Sequence, residues 1–364
     1  MRLRILPCLL LTCALAGPAR GGELATDLQD TLAAYLADNP SAPGLVVHVI
    51  CPPAGLDSTF ALGTVSRDDG EPLSAAHTFR TASNTKTYVA AAVLRLAEEG
   101  RLGLDDPLRL HLDPVRAALL ASDGYDLDAI TIAQVLSHTG GLFEHPADPR
   151  YGEAIVADPQ RVWTAAEQVA LCVAWGDPVA APGDTFSYSD TGYVLLGGIL
   201  EHASGENLGL AVHHLLDYGA LGLGATWWEL MEPAPAGAGP RLHQHFGEFD
   251  TFDWHPSLDL YGGGGLVTDA RELALFMRLL IEGKVLHDEA SLAEMMNRGT
   301  PGYRLGLIHA ELAGHEAWGH TGFWNTFAFH VPDLDLTVAG CIGDHFAARG
   351  QLLAGRLAAR VARP

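Results

Sequence analysis

The sequence predicts an α+β fold: an antiparallel β-sheet flanked by N- and C-terminal helices, with a mainly helical lobe inserted between its strands. Three observations lead to this prediction. Strand-like runs lie near both ends of the chain, at 45–63 and at 305–342. Helical patterns dominate the stretch from about 106 to 250. An Ala/Leu/Arg-rich helix, expected over 346–361, closes the chain.

The first 22 residues have the features of a secretory signal peptide. Arg2 and Arg4 form a basic start, an apolar run extends from Ile5 to Ala16, and Ala14-Leu15-Ala16 offers a cleavage site. The run is too short to cross a bilayer. Lipid attachment at Cys13 is a weaker alternative, because threonine before that cysteine fits it poorly. We therefore expect a secreted or periplasmic mature protein without a membrane span.

The charge of the chain restricts its partners. The 364 residues include 22 basic and 44 acidic ones, for a formal net charge of -22. The 22-residue leader holds three arginines and no acids, so the mature chain is more acidic still. An acidic surface repels phosphate backbones and anionic lipids. We expect no nucleic-acid partner and a small-molecule or short-peptide substrate, and the sequence does not fix the oligomeric state.

Cysteine and histidine spacings indicate no cofactor or metal. Outside the leader, Cys51, Cys172 and Cys341 are too far apart for a disulfide framework or a zinc site. The histidine pairs at 213–214 and 243–245 do not have metal-binding spacing either. One bridge between Cys51 and Cys341 stays open, since both lie in predicted strands. Buried thiols are the preferred interpretation.

Local signals place the remaining elements. Thr131 and Thr164 each stand three residues before a glutamine or glutamate, the pattern of a capping box that opens a helix. Asp269 is expected to cap an amphipathic helix, and a further helix begins near Gly192. The expected organisation is a signal peptide over 1–22, an α/β lobe over 23–105 and 251–364 with a first helix over 23–39, and a helical lobe over 106–250.

The stretch from 78 to 94 is the most informative about function. A short β-prone run leads into Ser83, and an Ala-rich helix follows. Serine is a good N-cap, so we expect Ser83 to open this helix and Lys86 to lie one turn further, on the same side. A hydroxyl beside an amine at a helix N-terminus forms an activated nucleophile. Lys86 is one of two lysines in the chain, and lysine, unlike arginine, loses its proton when desolvated.

Two further stretches have suitable chemistry. Tyr188 begins a Tyr-Ser-Asp run on a loop that enters a helix, and a tyrosine close to an ammonium suits proton transfer. His320 begins a strand-like His-Thr-Gly run, where Gly322 permits close approach of the backbone and the N–H of Phe323 could serve an oxyanion. Each run alone also has a structural explanation, as a buried tyrosine or a core histidine.

Together, the three runs resemble the motifs of the serine β-lactamase and penicillin-binding-protein superfamily in order and spacing. They are Ser83-x-x-Lys86, Tyr188-Ser189-Asp190 and His320-Thr321-Gly322. The tyrosine motif resembles the class C β-lactamase-like branch, which includes D-alanyl-D-alanine carboxypeptidases, D-aminopeptidases and family VIII esterases. Supporting stretches lie at 102–107, at 136–142 and in the glycine run before Leu266.

The resemblance implies a role for each catalytic position. Ser83 would be the acylated nucleophile, and Lys86 and Tyr188 would transfer its proton. His320 would line the site and orient either a substrate carboxylate or the Tyr188 proton. The backbone N–H groups of Ser83 and Phe323 would form the oxyanion hole. Further substrate-binding positions implied by the resemblance are Asp190, Thr321 and Gly322.

Two departures from the family pattern shape the expected substrate. Asp190 stands where asparagine is common, and an ionised carboxylate cannot donate a hydrogen bond. Its contact with Lys86 would favour the protonated amine and leave Tyr188 as the better base. His320 replaces a lysine that commonly anchors the β-lactam carboxylate. We therefore favour a serine hydrolase of D-residue peptides or small esters. The alternatives are a class C-type β-lactamase and a non-catalytic penicillin-binding or sensor domain.

Overall fold

The computed structural model describes residues 18–363, so the predicted signal peptide lies almost entirely outside the described residues. The strands are β1 (Gly44–Cys51), β2 (Leu56–Gly63), β3 (Thr78–Arg80), β4 (Trp227–Trp228), β5 (His245–Phe246), β6 (Phe249–Asp250), β7 (Leu266–Asp269), β8 (Ile308–Leu312), β9 (His315–Gly322), β10 (Thr326–Val331) and β11 (Leu336–Ile342). The helices are α1 (Pro18–Asp38), α2 (Thr85–Glu98), α3 (Pro114–Ser122), α4 (Ile132–Leu136), α5 (Pro149–Ala157), α6 (Ala165–Trp175), α7 (Asp190–Ser204), α8 (Leu208–Leu216), α9 (Tyr218–Leu221), α10 (Ala270–Ile281), α11 (Glu289–Asn297) and α12 (Gly350–Val361).

The main sheet has the order β2-β1-β11-β10-β9-β8, with every neighbouring pair antiparallel. Alternate residues of β1 face opposite sides, as a strand requires. Val47 and Val49 pack in an apolar cluster with α1 and α12, whereas Val46 and Ile50 belong to a second cluster that includes α10. Both faces of the sheet are therefore covered. The predicted antiparallel sheet between terminal helices is confirmed.

A smaller sheet, β3-β7-β4, joins the main sheet to the helical part of the chain. Helices α3 to α9 all fall between residues 106 and 250, and the capping boxes at Thr131 and Thr164 are both formed. Asp269 caps α10 by accepting from the backbone N–H of Glu272. The apolar cluster on the inner sheet face continues through α2 into α7 and α8. The assigned boundaries of the two lobes stay predictions.

Two expected helix starts are wrong. Ser83 does not cap α2, because it lies inside a short 3-10 turn, Ala82–Asn84, that precedes the helix. The last helix begins at Gly350 rather than Phe346. The preceding segment is held by Asn325, whose side-chain amide donates to the carbonyl of Asp344 and whose Oδ1 accepts from the N–H of Gly350.

The strand register decides the question of a Cys51–Cys341 bridge. Cys341 pairs with Val46 across β1 and β11, so Cys51 lies five residues further along its strand. At about 3.3 Å per residue this offset is roughly 16 Å. A disulfide requires Cα atoms within about 7 Å of each other. The two cysteines therefore do not form a disulfide with each other.

Among the described helices, none combines the length and apolar character needed to cross a bilayer.

Candidate active site

Ser83 lies in a turn that tertiary contacts hold on both sides. Ala82, just before it, has φ +47°, a left-handed conformation that a non-glycine residue rarely adopts. Thr326 on β10 donates to the carbonyl of Thr81 (2.6 Å) and accepts from the side chain of Asn84 (2.9 Å). These contacts hold the turn that contains Ser83 against the main sheet.

Gly322 is required here by the protein backbone. A Cβ at this position would lie 2.2 Å from the carbonyl oxygen of Thr81. The close approach that the sequence suggested for a ligand is therefore an approach between β9 and the turn before Ser83. Any larger residue would push the nucleophile away from the end of β9.

Lys86 is fully buried and makes three polar contacts. Its Nζ lies 3.0 Å from the Oγ of Ser83, 2.7 Å from the carbonyl oxygen of Gly263 and 2.5 Å from Oδ1 of Asp190. Burial alone would lower the pKa of Lys86, but the neighbouring acidic groups, Asp190 foremost, outweigh burial and raise the pKa above its usual value. At rest Lys86 is thus an ammonium ion that donates to Ser83.

Tyr188 lies beside Lys86, which contacts Ser83. The centre of its ring is 5.0 Å from the Nζ of Lys86, and the ring packs on the imidazole of His138. Burial raises the pKa of Tyr188, and the nearby positive charge of Lys86 partly offsets this effect. Tyr188 is therefore a neutral phenol at rest. The structure brings Ser83, Lys86 and Tyr188 together, as the sequence predicted.

His320 is buried, and both of its ring nitrogens have partners within the protein. Nδ1 donates to the carbonyl of Thr321 (2.6 Å), so Nε2 accepts from the hydroxyl of Tyr303 (3.0 Å). Burial, together with the charge of Lys86, lowers the pKa of His320 to about 3. The imidazole is thus neutral and has no free N–H for a substrate carboxylate. It lines the same cleft as Ser83, and its catalytic role stays a prediction.

Of the two proposed oxyanion donors, Ser83 lies in the 3-10 turn before α2 and Phe323 lies at the end of β9. Phe323 follows Gly322, and its side chain is 49% exposed beside Ser83. The carbonyl of Phe323 accepts from Nδ1 of His345 (2.5 Å), which holds this residue in place. Within residues 18–363, the N–H groups of Ser83 and Phe323 donate none of the turn and loop hydrogen bonds. They are available for an oxyanion.

Two carboxylates that the sequence did not predict complete the site. Glu144 accepts from the backbone N–H of Asp190, and Asp259 packs over Gly264. We call Glu144, Asp190 and Asp259 the acidic cluster. Burial, reinforced by the charge of Asp190, raises the pKa of Glu144 well above its usual range and that of Asp259 to about 7. One lysine ammonium therefore faces three acidic side chains.

The signals for these additional residues were weak. Glu144 stands two residues after the 136–142 stretch that supports the family resemblance, but outside it. Asp259 ends a short 3-10 turn and Tyr303 lies in a loop, and neither belongs to a recognised motif. Among the described residues, no group of three or more His, Cys, Asp or Glu side chains could hold a metal ion.

Ser83 opens onto two spaces. The larger is a cleft of about 840 Å3, lined by Glu144, Tyr188, His320 and Thr321. The smaller is an apolar cavity of about 150 Å3 on the side of α5. Trp254 and Trp324 line the cavity, whereas Trp228 is buried in the core. Ser83 thus lies between two compartments.

This geometry agrees with the similarity to known proteins. A family model described as Beta-lactamase matches residues 29–346. The chain belongs to the beta-lactamase family. Within this family, a Salmonella paratyphi A protein named "Putative D-alanyl-D-alanine carboxypeptidase" is 26% identical over 313 residues, which cover 73% of this chain and 71% of that protein.

Solved structures of beta-lactamase-like proteins superpose on nearly the whole chain. A D-stereospecific amidohydrolase from Streptomyces sp. has 28% identity and a TM-score of 0.77, covering 90% of this chain and 97% of its own. The D-amino acid amidase of Ochrobactrum anthropi SV3 has 22% identity and a TM-score of 0.77, with 93% and 97% covered, and shows the shared fold. This beta-lactamase-family chain is a serine hydrolase.

Proposed function

We propose that the chain is a secreted hydrolase that forms an acyl-enzyme on Ser83 with amides and short peptides of D-amino acids whose α-amino group is free. The observation that carries this proposal is the hydrogen bond from Lys86 to Ser83, with the ring of Tyr188 packed against the same ammonium beside the acidic cluster. The D-stereospecific amidohydrolase of Streptomyces supports the substrate class by similarity.

Proton transfer in this site depends on the charge of Lys86. In the resting state both Lys86 and Tyr188 are protonated, so the reactive state carries one proton fewer on this pair. A substrate ammonium bound beside Glu144 and Asp190 would partly neutralise the charges that raise the pKa of Lys86. The cationic substrate would thereby help to create the base that takes the proton of Ser83.

The remaining steps follow from the geometry. The Oγ of Ser83 attacks the substrate carbonyl, and the N–H groups of Ser83 and Phe323 stabilise the oxyanion. The C–N bond breaks as Tyr188 passes the proton of Ser83 to the leaving amine. Water then attacks the ester, one of its protons passes to Tyr188, and Ser83 leaves with a proton on Oγ.

The electrostatics of the site disfavour β-lactam antibiotics. The carboxylate of Asp190 lines the cleft and repels a second carboxylate near the reacting carbonyl. His320 is neutral and offers no replacement for a cationic anchor. Small esters are the second candidate, because the apolar cavity accepts an uncharged acyl chain and an ester needs less help to expel its leaving group.

The experiment uses the mature chain without its first 22 residues. Steady-state rates are measured with D- and L-phenylalanine amide, N-acetyl-D-phenylalanine amide, p-nitrophenyl acetate and nitrocefin. We expect the D-amide to exceed both the L-amide and the acetylated D-amide by at least about tenfold in kcat/KM. A fluorophosphonate probe should label the native protein and the Ser122→Ala control but not Ser83→Ala.

Each alternative has its own outcome. Faster turnover of nitrocefin than of any amide would indicate a β-lactamase. Labelling without turnover would indicate an idle penicillin-binding or sensor domain, and activity retained in Ser83→Ala would disprove the acyl-enzyme. Secretion is tested separately, by N-terminal sequencing of the chain recovered from the periplasm or medium, where a start near Gly17–Glu23 is expected.

A further inference from the structure

The apolar cavity beside Ser83 has two acidic side chains in its lining, Asp190 and Asp259. Its walls are aromatic and aliphatic, and Asp259 lines it together with Ser83 and Asp190. The apolar wall residues are Tyr151, Ile155, Val156, Phe246, Trp254, Leu258 and Trp324. An ionised carboxyl group in such surroundings is costly unless a cation approaches it.

Asp259 differs from the other members of the acidic cluster in having no partner. Asp190 forms an ion pair with Lys86, and Glu144 accepts from the N–H of Asp190. Among residues 18–363, the carboxylate of Asp259 makes no hydrogen bond and no ion pair. Asp259 is therefore the acid in this site whose carboxylate has no direct hydrogen-bond or ion-pair partner among the described residues.

The backbone beneath Asp259 is shaped to admit this side chain. A Cβ on Gly264 would lie 2.2 Å from Oδ2 of Asp259, and a Cβ on Gly263 would lie 3.1 Å from the Cγ of Asp190. The glycine run thus leaves room for two carboxylates side by side. Burial and the charge of Asp190 raise the pKa of Asp259 to about 7, whereas Lys86 and Arg80 lower it. A ligand cation would complete its ionisation.

We propose that this cavity binds a cationic side chain of the substrate, with its aliphatic stem against the apolar walls and its terminal ammonium on Asp259. The volume of about 150 Å3 fits this assignment. Since a water molecule occupies about 30 Å3 of the liquid, the cavity holds at least about five non-hydrogen atoms, as many as a lysine side chain has. The inference rests on the proposed function and names D-lysine-type amides and peptides as the substrate class.

The test compares two substrates of similar length that differ in the terminal charge, D-lysine p-nitroanilide and D-norleucine p-nitroanilide. In the native mature chain we expect kcat/KM to favour the lysine substrate by at least about tenfold. In Asp259→Asn this ratio should fall by at least about tenfold. In Asp253→Asn, which removes an exposed charge that lines neither compartment, the ratio should stay within about twofold.

An equal decrease of kcat/KM for both substrates in Asp259→Asn would overturn the inference. It would show that the substitution acts on Lys86 and not on a bound cation. A native preference for norleucine would overturn it as well, while leaving the proposed function intact.

Binding without turnover keeps the two proposals separate. In Ser83→Ala, n-butylammonium should bind measurably by calorimetry and n-butanol should not. Adding Asp259→Asn should abolish the binding of n-butylammonium, and equal binding in both proteins would disprove the cation site. Failure of the native chain to turn over any substrate, together with failure of Ser83 to react with the fluorophosphonate, would instead disprove the proposed function.

Discussion

Ser83 lies between two polar regions of opposite character. On the side of α2 and α7, the buried ammonium of Lys86 faces the acidic cluster, and charge is dense. On the side of β9, the neutral imidazole of His320 is held between Tyr303 and the backbone of Thr321. We call these the charged side and the imidazole side. Both are buried, yet only the charged side has groups able to exchange a proton with Ser83.

The two sides differ in which contacts reach Ser83. On the charged side, Lys86 donates to Ser83 and its Nζ lies 5.0 Å from the centre of the Tyr188 ring. On the imidazole side, both ring nitrogens of His320 have partners elsewhere, the carbonyl of Thr321 and the hydroxyl of Tyr303. Substitutions on the two sides should therefore have unequal effects.

The largest effect is expected for Lys86→Met. The substitution removes the ammonium that donates to Ser83 and leaves Asp190 without its ion-pair partner. We expect kcat/KM for the D-amide substrate to fall by at least about 1000-fold. The unfolding free energy should also decrease, because removing one partner of a buried ion pair destabilises a protein by about 3–5 kcal/mol.

The matched control is Lys284→Met, which removes the other lysine of the chain from an exposed position on the surface. Lys284→Met should leave both kcat/KM for the D-amide substrate and the unfolding free energy nearly unchanged. A Lys86→Met protein with activity within about tenfold of native would show that the charged side is not the source of the base.

Tyr188→Phe and Tyr303→Phe compare the two sides directly. Each substitution removes one phenol hydroxyl. Only Tyr188 packs against Lys86, whose Nζ lies 5.0 Å from the centre of its ring, whereas Tyr303 donates to His320. We expect Tyr188→Phe to lower kcat by about 100-fold to 10,000-fold. Tyr303→Phe should lower kcat by less than about tenfold, since it removes only a hydrogen bond to His320. Equal losses in the two variants would contradict the division between the sides.

The smallest effects concern how the unfolding free energy changes with pH. This pH dependence should have opposite signs for Asp259 on the charged side and His320 on the imidazole side. The pKa of Asp259 is raised to about 7, so between pH 4 and 7 the folded state keeps a proton that the unfolded state has lost. Its contribution to stability falls as pH rises through this window. In Asp259→Asn, chemical unfolding should show a stability gain of about 1–3 kcal/mol at pH 8 and almost none at pH 4.

His320 should affect the pH dependence of stability in the opposite direction. Its pKa is lowered to about 3, so between pH 6.5 and 3 the unfolded state binds a proton that the folded state does not. Stability conferred by the neutral imidazole is therefore lost as pH falls. The difference in unfolding free energy between native and His320→Gln should shift against the native protein from pH 7 to pH 4. A pH-independent difference would mean that His320 has the same pKa in the folded and unfolded states, which contradicts the lowered value.

Local sequence signals were reliable wherever the interaction spans a few residues. The capping boxes at Thr131 and Thr164 formed because donor and acceptor are three residues apart and need no distant partner. The spacing of Ser83 and Lys86 placed both on one side of a helical turn for the same reason. The strands of the main sheet, with their alternating or continuous apolar runs, were equally evident.

Signals of this kind were insufficient where distant segments meet. Ser83 looked like a cap, but Thr326 and the backbone at Gly322 hold it in a 3-10 turn. The partner of His320 is Tyr303, which no motif marks. Such contacts depend on how the sheet and the loops pack. They cannot be predicted from the residues that are neighbours in sequence.

The chain alone thus determined which serine, lysine and tyrosine are the candidates for catalysis, and the order of the elements around them, because spacing along a helix or strand is a local property. Only the tertiary structure decided the charge of the site. Asp190 and Asp259 reach Lys86 from distant parts of the chain, and their effect on its pKa depends on distance and burial. Those two quantities exist only once the chain has folded.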